Sequence, residues 1–161
     1  MMSKILILCT GNSCRSQMAE GFLKSIAPDL EIYSAGTHPA KEVHPKAVRV
    51  MKEAGVNISG HFPKTVDQFQ DQNFAYVITV CDSAKETCPV FSGKVRSKLH
   101  FPFTDPAIAT GTAEEVLAEF RRVRDEIKDR FLRFYNETLM SLRLTKKNEN
   151  THTKTQRTQS F

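Results

Sequence analysis

The 161-residue sequence lacks any apolar run near 18 residues, and its first apolar stretch, Ile5-Leu6-Ile7-Leu8, is too short for a secretory leader. A membrane partner is therefore not expected, and a cytoplasmic protein is. Cysteine is scarce: Cys9, Cys14, Cys81 and Cys88 show no Cys-x2-Cys spacing, and no histidine lies at ligand spacing to them. Without a secretion signal this argues against a structural disulfide framework and against a closed zinc site, so no bound metal or cofactor is expected. Catalytic or redox use of the thiols remains. Internal repeats are absent too, and 40% apolar with 25% charged residues is the composition of one ordinary globular domain.

Net positive charge is nearly missing from the body of the chain. Arg143, Lys146, Lys147, Lys154 and Arg157 face Glu149 alone, so residues 143–161 hold four of the five formal net charges. That polar, basic stretch reads as a disordered tail, residues 1–142 as the domain, and a nucleic-acid partner is not expected.

The chemistry concentrates in Cys9-Thr10-Gly11-Asn12-Ser13-Cys14-Arg15-Ser16. This stretch joins a buried strand to a segment of helical periodicity beginning at Gln17. Loop amides and the first N–H groups of a helix together make a concave anion site, and Arg15 adds a planar fork for two oxygens. The same positive field is expected to depress the pKa of Cys9 and favour its thiolate. Ser16 either hydrogen-bonds that thiolate or caps the helix. A nucleotide-binding P-loop is excluded, because the Gly-Lys-Ser/Thr ending is missing.

Downstream, Glu31 to Ala35 alternates as a short strand, Pro45 opens a helix that Gly55 closes, and a short helix is expected around Val66 to Phe69. Ala75 to Val80 is a second central strand ending at Cys81, and Lys98 to Phe101 is a weaker one. Thr112 and Glu115 form a capping box for a long helix from Ala113 to about Leu142, with Val116, Phe120, Val123, Ile127, Phe131 and Phe134 on its core face. Arg121, Arg122, Arg124 and Arg130 are expected on a solvated face. The pattern predicts an α/β fold with a parallel sheet covered on both faces and a ligand site at the strands' carboxyl ends, where Cys9 and Cys81 both fall.

Cys81 and Cys88 stand seven residues apart with helix-favouring residues between them. Seven helical residues rise about 10.5 Å, whereas a disulfide needs Cα atoms roughly 4.4 to 6.8 Å apart, so joining them requires the segment to unwind or loop out. Asp105-Pro106 supplies a carboxyl that can protonate a leaving oxygen, although such a pair is often only a turn.

Taken together, Cys9 to Gly21, Tyr33 to Gly36, Cys81 to Pro89, Asp105 to Ala107 and Arg122 to Ile127 resemble the thioredoxin-coupled arsenate reductases, relatives of the low-molecular-weight tyrosine phosphatases. The resemblance implies a single domain with a four-stranded parallel sheet flanked by helices and arsenate as substrate. It implies that Cys9 attacks arsenate, that Thr10, Gly11, Asn12, Ser13, Cys14, Arg15 and Ser16 hold the oxyanion, and that Asp105 is the acid. Cys81 and then Cys88 would carry the oxidising equivalents to a disulfide reduced by external thioredoxin. Some relatives bind potassium near the loop; Asn12, Glu20 and Ser34 match that site, and Lys64 stands where an Asp would complete it, so its ammonium is expected to replace the ion. Thr104 and Ala107 depart from relatives' Asp and from the phosphatases' aromatic residue. A phosphotyrosine phosphatase and a thiol redox sensor without turnover are the alternatives.

Overall fold

Apolar runs and amphipathic segments alternate along the chain to give strands β1 (Lys4–Cys9), β2 (Glu31–Gly36), β3 (Phe74–Thr79) and β4 (Val95–His100), with helices α1 (Arg15–Ile26), α2 (Pro45–Glu53) and α3 (Ala113–Phe134). The computed structural model describes residues 4–141. All strand pairs are parallel, in the order β2-β1-β3-β4. The chain leaves β1 for β2 on one side and later returns to β3 on the other. The carboxyl ends of β1 and β3 therefore flank the switch point of the sheet.

β1 is central, which is why Ile5 to Leu8 can be uniformly apolar; all four are fully buried. Ile5, Ile7 and Cys9 face the core shared with the three helices, and Leu6 and Leu8 face the other side. That second side is closed by a 3-10 turn, Val66–Phe69, with Phe74 and Phe91. Phe74 meets the rings of Phe69 and Phe91 nearly edge-on, at centroid distances of 6.1 and 5.6 Å. Helices thus pack mainly on one face, and aromatic side chains seal the other.

Helix limits follow the expected signals. His44 Nδ1 accepts from the Lys46 amide, Pro45 holds the first position of α2, and Gly55 ends the segment at φ 81°. Thr112 and Glu115 form the reciprocal capping box of α3. Beyond Phe134 the helix departs from the expected course, because Tyr135–Leu139 is a π turn. The extra residue brings Leu139 onto the buried face, where α spacing would have placed Glu137 or Thr138.

The arginines of α3 are not one solvated face. Arg121 and Arg124 both grip Glu53 of α2, at 2.8 and 3.0 Å, and the Arg130 guanidinium lies 3.8 Å from the centroid of Phe101. β4 is longer than expected, since its alternation of half-buried and exposed residues hides the apolar signal. Among the described residues no helix is long and apolar enough to cross a membrane. The tail expected over residues 143–161, and Leu142 at the end of the expected helix, lie outside the described residues.

Candidate active site

β1 delivers Cys9 to a loop that closes on the first turn of α1. The loop carbonyls of Thr10, Gly11 and Ser13 accept from the amides of His38, Ala40 and His44 at 3.0, 2.9 and 2.9 Å, and that of Asn12 from Gln17 Nε2 at 3.1 Å. With four consecutive carbonyls so engaged, the loop's N–H groups are left to line a cavity of about 330 Å³ bounded by Cys9 to Arg15. Gly36 makes this approach possible: a Cβ there would lie 2.4 Å from the Thr10 carbonyl oxygen. Asn12 is left-handed at φ 52°. Its Oδ1 accepts from the Lys64 amide at 2.9 Å and from Gln17 Nε2 at 3.1 Å, and its Nδ2 donates to Ser16 Oγ at 2.7 Å, contacts that offset the roughly 1–2 kcal/mol cost of that backbone. Ser16 does not cap α1; the N-cap is Cys14, without a side-chain cap.

Arg15 is almost fully buried at the cavity floor. Its Nη1 and Nη2 donate to Glu86 Oε2 and Oε1 at 2.6 and 2.9 Å, Nη1 also to the Phe103 carbonyl at 3.1 Å, and Nη2 lies 3.6 Å from Asp105 Oδ2. Nε is buried without a partner, a donor left for one more oxygen. Glu86 further accepts from Thr10 Oγ1 at 3.1 Å and from the Asp82 amide at 3.1 Å. A carboxylate of the chain itself thus sits on the fork expected to hold a substrate oxyanion.

This changes the electrostatics expected for Cys9. Burial pushes its thiol up; Arg15 pulls it down, but Glu86 and Asp105 oppose that pull, so the loop does not favour thiolate here. Burial likewise pushes Cys14 up to about 12. For Glu86 burial also works upward, yet the Arg15 hydrogen bonds and charge prevail and hold its carboxyl below the usual range.

Cys81 and Cys88 are joined by a disulfide with Cα atoms 5.8 Å apart, and Cys9 and Cys14 are free. The segment between them is unwound, as the spacing requires. It makes one turn in which the amides of Lys85 and Glu86 donate to the Asp82 carbonyl at 3.0 and 2.9 Å. Asp82, Lys85 and Glu86 form a wall of the oxyanion cavity. Asp105 serves both readings of Asp-Pro: Oδ1 accepts from the Ala107 amide at 3.0 Å to cap the turn, and Oδ2 faces Arg15. The cavity therefore gathers Cys9 to Arg15 and Asp105, Ser16 sits behind it, and the disulfide closes the loop along its edge.

Glu86, Gln17 and His61 join the site without any local signal in the sequence. Glu86 passed as a spacer because its partner is 71 positions away. Gln17 and His61 form the floor beneath Asn12, with His61 Nδ1 3.0 Å from Gln17 Oε1. Glu20 gathers Ser34 Oγ at 2.8 Å, Lys24 Nζ at 3.1 Å, His61 Nδ1 at 3.2 Å and Lys64 Nζ at 3.9 Å. Burial pushes the Lys64 ammonium pKa down, and Glu20 partly restores it.

The model of the low molecular weight phosphotyrosine protein phosphatase family matches residues 4–148. The chain belongs to that family. Its similar relatives include an arsenate reductase of Halalkalibacterium halodurans, 47% identical over 81% of this chain and 93% of the relative. An arsenate reductase of Bacillus subtilis is 45% identical over 83% and 96%. Among solved structures, an arsenate reductase in the phosphate binding state superposes with a TM-score of 0.69 at 31% identity, over 84% of this chain and 98% of that one. An arsenate reductase in the oxidized state does so with 0.68 at 28% identity, over the same shares. A tyrosine phosphatase of Erwinia amylovora, at 21% identity, shares the fold. Family membership and the four-stranded parallel architecture thus agree with the resemblance read from the sequence.

Proposed function

We propose that this chain reduces arsenate to arsenite through a three-cysteine relay, with thioredoxin as the external reductant. Arsenate binds the loop amides and Arg15, the Cys9 thiolate attacks arsenic, and Asp105 gives a proton to the oxygen that leaves as water. Cys81 then attacks the Cys9 sulfur, and the electron pair of the sulfur–arsenic bond stays on arsenic, which departs as arsenite. Cys88 attacks Cys81 and frees Cys9. Two electrons and two protons from a thioredoxin dithiol restore the Cys81 and Cys88 thiols.

The observation that carries this reading is the Cys81–Cys88 disulfide in a loop that walls the cavity holding Cys9. A hydrolytic phosphatase has no use for that pair. The disulfide is also reachable by a protein reductant: Cys88 is half-buried, Val90 beside it is 77% exposed, and a hollow of about 280 Å³ opens along Pro89 to Phe91. A cytoplasmic location, where thiol reductants are maintained, belongs to the same proposal.

NADPH consumption with thioredoxin and its reductase, with and without arsenate, tests the reading in wild type and Cys88→Ser. Arsenate-dependent consumption by wild type, and a variant that stalls after one turnover with Cys9 joined to Cys81, is the expected result. Hydrolysis of a phosphotyrosine peptide by both proteins, with no response to arsenate, would make the chain a phosphatase. Oxidation of Cys81 and Cys88 with no arsenate-dependent consumption would make it a sensor.

A further inference from the structure

Cys81 follows β3, Cys88 closes the seven-residue loop, and His100 ends β4. The sequence offered no histidine at ligand spacing, but the sheet supplies one: parallel pairing sets Thr79 opposite His100, at the strand ends nearest the disulfide. The two sulfurs and one imidazole nitrogen lie within 4.8 Å of one another. Thr79 Oγ1 lies 2.7 Å from His100 Nδ1 and 3.4 Å from the Leu99 carbonyl oxygen. Thr79 thus engages the Nδ1 edge of the ring, and Nε2 faces Ser83 Oγ of the loop at 3.5 Å. A polar partner on one ring nitrogen orients the imidazole and leaves the other nitrogen for a metal.

We propose that reduction of the Cys81–Cys88 disulfide opens a site for one thiophilic divalent cation of the zinc class, with Cys81 Sγ, Cys88 Sγ and His100 Nε2 as ligands. A dithiol or phosphine supplies the two electrons that break the S–S bond, and two protons complete the thiols. The cation then displaces one proton from each thiol, and neutral His100 adds its lone pair. Two thiolates cancel the double positive charge, and the fourth position faces solvent, since His100 is exposed. Metal–sulfur bonds of about 2.3 Å and metal–nitrogen bonds of about 2.0–2.1 Å put tetrahedral ligands roughly 3.4–3.8 Å apart, so the sulfurs, bonded here, must separate once reduced while the imidazole stays close to its present place. The disulfide and the metal complex exclude each other, because both use the same electron pairs. The site shares Cys81 and Cys88 with the proposed arsenate relay, but metal uptake is measured without arsenate or thioredoxin, so its failure and the failure of that relay are told apart.

Anaerobic cobalt(II) titration of the phosphine-reduced protein, beside its disulfide form, reads the site directly. Reduced protein takes up one cobalt per chain with thiolate-to-cobalt charge-transfer absorption, and the disulfide form takes up none. Thr79→Val weakens binding roughly 10-fold, and His100→Ala weakens it further. In unmutated protein, zinc shields Cys81 and Cys88 from alkylation mapped by mass spectrometry, which needs no variant to fold. Equal uptake by the disulfide form, no uptake by the reduced one, unchanged affinity in His100→Ala, or shielding of Cys9 and Cys14 instead would each overturn the assignment.

Discussion

Replacing Glu86 by alanine in the disulfide form should tighten oxyanion binding. An incoming phosphate or arsenate needs the Arg15 fork, and both outer nitrogens are committed to Glu86, at 2.6 and 2.9 Å. Hydrogen bonds to a charged partner contribute about 1.5–3 kcal/mol each, are not additive, and are softened here because the Glu86 side chain is 21% exposed. Taking about 2 kcal/mol for displacing the bidentate pair, the oxidised wild type should bind phosphate roughly 30-fold more weakly than oxidised Glu86→Ala. Isothermal titration of phosphate into both disulfide-form proteins measures this. A second readout follows from charge: Glu86 is one of the groups that raise the Cys9 pKa, so removing it should speed Cys9 alkylation at pH 8. The sign of the pH effect is also fixed. Because the Glu86 pKa is lowered in the folded chain, the lock is intact at neutral pH and is lost only as pH falls through that depressed value. Equal phosphate affinity in the two proteins would refute the idea that Glu86 competes for the fork.

If the Lys64 ammonium takes the place of a potassium ion beside Glu20, turnover should be indifferent to exchanging potassium for tetramethylammonium at constant ionic strength; a rate rising strongly with potassium would refute that. Gly36→Ala should lower kcat/KM roughly 10- to 100-fold with the fold retained by circular dichroism, because the new Cβ would stand 2.4 Å from the Thr10 carbonyl oxygen and displace the loop. Phe131→Ala should cost about 3–5 kcal/mol in urea unfolding, since the side chain is fully buried between Phe101 and Phe134.

What could be read from the sequence was local. The β1 run, the capping box of α3, Pro45 at the start of α2 and the short helix at Val66–Phe69 all follow from neighbours within a few positions, and the structure has each of them. The loop from Cys9 to Arg15 was legible for the same reason. The π turn was not, because it answers to the burial of Leu139 and not to the spacing before it. The grip of Arg121 and Arg124 on Glu53 and the stacking of Arg130 on Phe101 were hidden because charge on a helix face looks the same whether it meets water or another element. Thiolate stabilisation at Cys9 is expected from the loop and Arg15 alone; in the structure burial outweighs that pull, and two carboxylates distant in sequence, which share that arginine, add to it.

Those carboxylates give the cavity a charge balance that depends on the disulfide loop. Among the charged side chains lining it, Arg15 and Lys85 are positive and Asp82, Glu86 and Asp105 negative, so a dianionic substrate would meet repulsion as well as an occupied partner. Glu86 is placed there by the turn that begins at Asp82: Glu86 N donates to the Asp82 carbonyl and the Asp82 amide donates back to the Glu86 carboxylate. That turn in turn fits within the 5.8 Å Cα span that the Cys81–Cys88 bond imposes. The covalent bond, the turn and the carboxylate on Arg15 form one mechanical chain. Oxyanion affinity and disulfide stability are therefore linked functions, and by reciprocity a saturating oxyanion that displaces Glu86 should shift the Cys81–Cys88 couple toward the dithiol. Redox titration against a glutathione buffer with and without phosphate measures that shift, and Glu86→Ala should abolish it. A potential that moved equally in both proteins would mean that phosphate and the disulfide communicate by some route other than this carboxylate.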